Sequence, residues 1–248
     1  MTPYTISIRN QSGAQSSYAV FSEIPHIKSG IADVKVTTRI MLSVRGVASG
    51  SGQASFVLSK QLYATCGTYD VDWDSTNADN NVGTVGTGTE VVDIRPVVLG
   101  RIDTASGGKL VPGTSLEIDG SGGSPSFTPM LPDVQDGEVG SFAIRTKSHF
   151  TFQQAKLNKY VVGFSSSARQ TVGPYATFVP APNSSYQIKP STVFYVTIGE
   201  HNVRDLVLDD LRSAPSTCRI DFSNPETDDI QLVHSEFGVL NKITAAVD

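Results

Sequence analysis

Charge, cysteine and long apolar runs are all scarce in this chain, and each shortage removes a class of protein. Only 17% of the 248 residues are charged, against an ordinary share of about 25%. The 19 Lys and Arg are scattered, with no run longer than two, and the net charge is -5. Binding to a duplex needs cations clustered against phosphates. Nucleic acid is therefore excluded as a partner, and so is an anionic membrane surface. No segment reaches the roughly 20 apolar residues of a membrane helix. The N-terminus enters a strand-like pattern at once, without the basic and apolar regions of a secretory signal. The expectation is a cytoplasmic protein, or a secreted one whose leader has been removed. Cys66 and Cys218 are the two cysteines. They can pair if their Cα atoms come within about 7 Å, and two free thiols are the expectation in a reducing compartment.

Chemical signatures are absent as well. There is no Gly-x-Ser-x-Gly elbow, no phosphate-cradling loop and no dinucleotide fingerprint. The four histidines, His26, His149, His201 and His234, have no partner at metal-ligand spacing. No cofactor and no metal are expected. Hydride transfer, phosphoryl transfer and triad hydrolysis all lose weight.

What is present is one grammar from end to end. Short runs of Val, Ile, Thr, Tyr and Phe alternate with Gly, Ser, Asn, Asp and Pro. In residues 4–9, Tyr4, Ile6 and Ile8 share one face and Thr5, Ser7 and Arg9 the other, the period of a half-buried strand. Asn10-Gln-Ser-Gly13 reads as a hairpin turn into a second strand at 17–24. Longer strands are read at 35–44 and 53–66, with the Gly- and Ser-rich 45–52 as their hairpin loop. Pro96 places the strand at 91–99 on an edge or at a bulge. Further strands are read at 115–119, 160–165, 175–179, 185–188, 193–199, 217–222 and 230–234. Thr151 and Gln154 fit a capping box, so 151–156 is read as a short helix, and 206–211 as a second helical turn. The fold class is all-β, an antiparallel β-sandwich or barrel-like sandwich with one or two short helices. Residues 1–248 are read as a single domain. The alternative is two β lobes, 1–119 and 141–248, joined by the Gly- and Pro-rich stretch between them.

Candidate site residues come from the polar and aromatic clusters. Asp70-Val-Asp72-Trp-Asp74 with Asp79 offers alternating carboxylates, but Ser75 stands where a calcium loop needs Gly, and Asn81 where it needs a bidentate acid. A solvated strand end is the plainer reading. Trp73 is the single tryptophan; with Tyr63 and Tyr69 it either walls a ligand pocket or plugs the end of a sandwich. His149-Phe-Thr-Phe152 opens the helical segment, where His149 either faces a cleft or caps the surface. Asp72 and His149 are the candidate acid–base residues. Tyr63, Tyr69, Trp73 and Phe150 are the candidate substrate walls.

Tyr4-Thr-Ile-Ser-Ile with Asn10-Gln-Ser-Gly13, Tyr63-Ala-Thr-Cys-Gly67, Phe150-Thr-Phe-Gln-Gln-Ala155 and Tyr186-Gln-Ile-Lys-Pro190 resemble segments of small fungal proteins of uncharacterised function. The resemblance covers most of the chain and carries no catalytic signature. It implies a fungal origin. By analogy with orphan β proteins of natural-product pathways, it implies a cofactor-free cyclase or isomerase, because such chemistry needs shape, apolar walls and a few placed donors. The expected partner is a hydrophobic small-molecule substrate, with a homodimer through sheet edges as a further association. The alternative is a non-catalytic carbohydrate- or ligand-binding β-sandwich module.

Overall fold

Alternation in the sequence becomes alternation in burial. In the computed structural model, Ile6 and Ile8 are wholly buried, while Arg9 is exposed. The structure describes residues 2–30, 34–69, 89–105, 107–121, 123–128, 135–167, 174–224 and 226–243. In chain order the first described strands are β1 (Tyr4–Asn10), β2 (Ser16–Ser22), β3 (His26–Ser29), β4 (Thr37–Thr38), β5 (Ile40–Val47), β6 (Gln53–Leu58) and β7 (Leu62–Tyr69). Then come β8 (Thr89–Val97), β9 (Arg101–Asp103), β10 (Lys109–Val111), β11 (Ser115–Asp119), β12 (Ser126–Thr128), β13 (Phe142–Thr146), α1 (Phe152–Leu157) and β14 (Tyr160–Ser165). The last are β15 (Ala176–Phe178), β16 (Ser185–Lys189), β17 (Val193–Ile198), α2 (Asp209–Ser213), β18 (Thr217–Asp221), β19 (Asp229–His234) and β20 (Leu240–Lys242). The fold is all-β and sandwich-like.

The chain forms two compact units, each discontinuous in sequence. The first gathers residues 1–23, 38–60 and 192–248; the second gathers 24–37 and 61–191. The Gly- and Pro-rich stretch at 119–140 falls inside the second unit. β4 marks the passage from the second unit back to the first.

Two four-stranded sheets build the first unit, in the orders β20-β19-β1-β6 and β18-β17-β2-β5. Between them Tyr4 stacks on Phe222 at 4.4 Å, and the Tyr18 hydroxyl meets His234 Nδ1 at 2.9 Å. β2 is buried on both faces. Its Ala19 and Phe21 pack on the opposite side with Ile40, Tyr195 and Val207, and Leu211 of α2 covers them. That explains the unbroken apolar run Tyr18-Ala-Val-Phe21.

The hairpin expected from Asn10-Gln-Ser-Gly13 does not form. β1 pairs with β6 and, in parallel, with β19, whereas β2 pairs with β5 and β17. The expected 45–52 hairpin fails likewise, since β5 and β6 lie in different sheets. Both connections are crossovers held by one side chain. The buried Asn10 amide donates to the carbonyls of Ala14 and Val47, each at 2.8 Å. The single strand read at 53–66 is broken between Leu58 and Leu62. Phe56 and Leu58 point inward, so the next inward position is Lys60. That ammonium cannot enter an apolar core unpaired and instead lies 2.6 Å from Asp228.

In the second unit one sheet runs β12-β11-β13-β16-β3, and β15, β14, β7 and β8 lie side by side in another. Phe142 meets Phe164, and Phe178 meets Tyr186, across the space between them. β8 is an outer strand, as Pro96 requires, because its missing N–H costs no ladder bond there. Gly163 is obligatory: a Cβ would lie 1.9 Å from the Ala176 carbonyl oxygen of the neighbouring strand. β9 and β10 form a separate hairpin. Two strand pairs, β1 with β19 and β11 with β13, are parallel, which the short turns of the sequence did not signal.

Candidate functional site

The parallel β11–β13 pair carries a ladder of charge on its outer face. Register pairs Glu117 with Arg145 and Ile118 with Thr146. Ile118, Ile144 and Thr146 are buried, so Arg145 falls on the other side by the period of two, and Lys147 and His149 follow in the chain just past the end of β13. Each finds an acid. Arg145 donates to the Asp136 carboxylate, which also accepts from the Ser115 hydroxyl. Lys147 Nζ lies 2.7 Å from Glu117 Oε1, and His149 Nδ1 lies 2.8 Å from Asp119 Oδ1. The hydrogen bond to Glu117 raises the Lys147 ammonium above its ordinary range.

The last rung differs from the others. Asp119-Gly-Ser121 closes an Asx turn, in which the Ser121 amide donates to Asp119 Oδ1 at 2.9 Å. The hydrogen bond from His149, with that amide second, holds the Asp119 carboxyl down to about 2. The turn rests on aromatic rings. Tyr160 donates its hydroxyl to the Gly120 carbonyl at 3.2 Å, and Phe150 stands edge-on to Tyr160 at 5.7 Å. A Cβ on Gly120 would come within 2.9 Å of the Phe150 ring.

On the other flank the capping box is formed as expected. Gln154 N–H donates to Thr151 Oγ1 at 3.1 Å, and Thr151 N–H donates to Gln154 Oε1 at 2.7 Å. The carboxylate is thus held by the turn amide and the imidazole by the carboxylate, two residues before the capped end of α1. When Asp119 accepts from Nδ1–H, the neutral ring carries its lone pair on Nε2, the form that takes a proton. The His149 side chain is 44% exposed.

Residues singled out from sequence are distributed unevenly. His149 and Phe150 are neighbours with opposite roles, the first exposed and the second 4% exposed in the cluster with Ala155 and Tyr160. Tyr69 is buried at the same end of β7: its amide donates to the Lys159 carbonyl, and Thr68 pairs with Tyr160. Tyr63 is half-buried at the far end, opposite Ser165 and Pro96. Six residues of strand, about 20 Å, separate it from Tyr69. Asp72 and Trp73 lie outside the described residues, with the whole of 70–88.

Asp119 is the site residue that sequence reading passed over. Two signals were available for it: the Asp-Gly-Ser turn, and the Arg-x-Lys-x-His spacing of 145–149, which a neighbouring row of acids complements. Among the described residues no group of three or more His, Cys, Asp and Glu is placed to hold a metal. Both cysteines are free. Burial pushes the Cys66 thiol far up, so it is no nucleophile. No described helix is long and apolar enough to cross a membrane. Comparison with protein-family models, curated proteins and solved structures returned no match.

Proposed function

We propose that this chain is a cofactor-independent enzyme of acid–base chemistry, a cyclase or isomerase that acts on a hydrophobic small molecule. One observation carries this reading: the exposed His149 imidazole, oriented at 2.8 Å by a carboxylate that is itself pinned by a turn amide. His149 takes a proton from carbon or oxygen at Nε2 and returns it elsewhere on the same molecule, so the reaction is redox-neutral. Asp119 is a positioning residue. It fixes the tautomer and stabilises the imidazolium formed in between. Phe152 and Leu157 of α1 are 42% and 79% exposed and offer apolar surface a few residues on. The fungal, natural-product setting rests on the resemblance of the four segments named above, and Asp72 and Trp73 are proposed as further members of the site.

Deuterium uptake tests the reading. A panel of enolisable hydrophobic ketones and 1,3-diketones is incubated in D₂O with the protein, and exchange is followed by NMR. Wild type is expected to exchange at least one member faster than free imidazole. His149→Gln is expected to lose about 10²–10⁴-fold of that rate, and Asp119→Asn a smaller part, with its pH profile displaced. Equal rates for wild type and His149→Gln would remove His149 as the acid–base group.

A further inference from the structure

The outer face of the first unit's β20-β19-β1-β6 sheet holds a second polar arrangement, remote in sequence from His149. Ser7, at the middle of β1, lies opposite Ser55 of β6 and Gln231 of β19. Arg9, two positions on, lies opposite Gln53. The short Ser7 side chain leaves a hollow rimmed by Arg9, Gln53 and Gln231, with a volume of about 120 Å³. That is about four water molecules' share of liquid, enough for a carboxylate and the hydroxylated carbons beside it.

Three features fix the chemistry of an occupant. Among the described residues Arg9 is the one ionic group lining the hollow and has no acid partner. A guanidinium presents a fork of donors that matches a carboxylate bidentately. Ser7, Gln53 and Gln231 make no side-chain hydrogen bond to another described residue. Two amides and a hydroxyl therefore stay available, each able to donate and accept, which suits a row of sugar hydroxyls. Among the described residues no aromatic ring lines the hollow, so a neutral pyranose has no described ring to stack on and charge supplies the selection.

We propose that this hollow is a binding site for a sugar acid, with Arg9 on the carboxylate and Gln53, Gln231 and Ser7 on adjacent hydroxyls. The inference is independent of His149. Amide NMR of the full chain tests it, by titrating glucuronate against glucose and acetate. Glucuronate is expected to shift the amides of β1, β6 and β19 around the hollow, with glucose and acetate each binding at least several-fold more weakly. Arg9→Ala is expected to weaken glucuronate about tenfold or more, since charged hydrogen bonds are lost, and Gln231→Ala several-fold. Both residues are exposed, so neither variant endangers the fold. His149→Gln leaves this binding unchanged. Acetate binding as tightly as glucuronate overturns the sugar part of the site, and glucose doing so overturns the role of Arg9. Absence of shifts with glucuronate, or binding indifferent to Arg9→Ala, overturns the site itself.

Discussion

His234 and His149 are the same ring in opposite surroundings. His234 is 3% exposed in the core of the first unit, edge-on to Tyr18, with the phenol hydroxyl 2.9 Å from Nδ1. Burial lowers its pKa, and burial also raises that of the Tyr18 phenol, so both partners stay neutral. His149 is exposed in the second unit, and its partner is a carboxylate. A buried neutral pair fills space and satisfies polar atoms. An exposed pair with a charged acceptor leaves the second ring nitrogen free of a protein partner. The same ring thus serves packing in one place and, in the proposed function, proton transfer in the other, and its neighbours make the difference.

The sharpest way to break this contrast is to delete each ring. His234→Ala leaves a cavity and strands the Tyr18 hydroxyl, at a cost of about 3 kcal/mol in stability. His149→Ala should cost only a small part of that, because it opens no cavity and removes one exposed hydrogen bond, the one that holds Asp119 ionised. Calorimetric or urea unfolding of the two variants measures both numbers. Equal losses would mean that His149 is structural and would take the ground from the proposed chemistry.

Acid separates the two sites next. Above its unfolded value of 6.5, His234 is neutral whether folded or not and has no effect on stability. As pH falls below 6.5 the unfolded ring binds a proton that the folded ring resists, so stability declines. Asp119 acts lower down. Its folded carboxyl, held near about 2, gives stability that is fully present above the unfolded value of 3.8 and is lost as pH falls from there. Stability measured against pH should therefore fall in two windows. His234→Gln is expected to flatten the upper window and Asp119→Asn to shrink the lower, which Asp221 and Asp228, also held low by their hydrogen bonds, share. A single window that ignores both variants would contradict the two assignments.

How much of this was legible depended on whether a residue acts through its own strand or through a distant one. The strands at 115–119 and 160–165, the edge position of Pro96 and the capped helix at 151–156 follow from local rules: period two, a missing donor, a reciprocal cap. Pairing partners did not follow. Asn10 looks like a hairpin residue in sequence, yet its amide bridges to Val47 and turns the chain between sheets. β13, the strand paired on both sides by β11 and β16, went unread because it is five residues long and follows a Gly- and Pro-rich stretch. The site was half legible for the same reason. His149 stood out by its place at the helix start, but Asp119 lies 30 residues away, and a parallel register brings the two together. Arg9 reads in sequence as the outward face of a strand. That Gln53 and Gln231 flank it depends on two pairings that no local pattern encodes.

The smallest effect tests whether the ends of the His149 segment are held as firmly as the contrast requires. α1 has six residues, too few to stand alone in water, so its cap and the buried Ala155 keep it in place. Thr151→Ala removes one half of the box at a cost of about 1 kcal/mol. The Ala155 and Asn158 amides donate to the carbonyls of Thr151 and Gln154, and their hydrogen exchange is expected to speed up about fivefold. The His149 ring resonances should move with them as the ring loosens from Asp119, while those of His234 stay fixed. If His149 keeps its position when the cap is gone, the Asx turn and the Phe150–Tyr160 pair alone orient the ring, and the helix serves only to cover them.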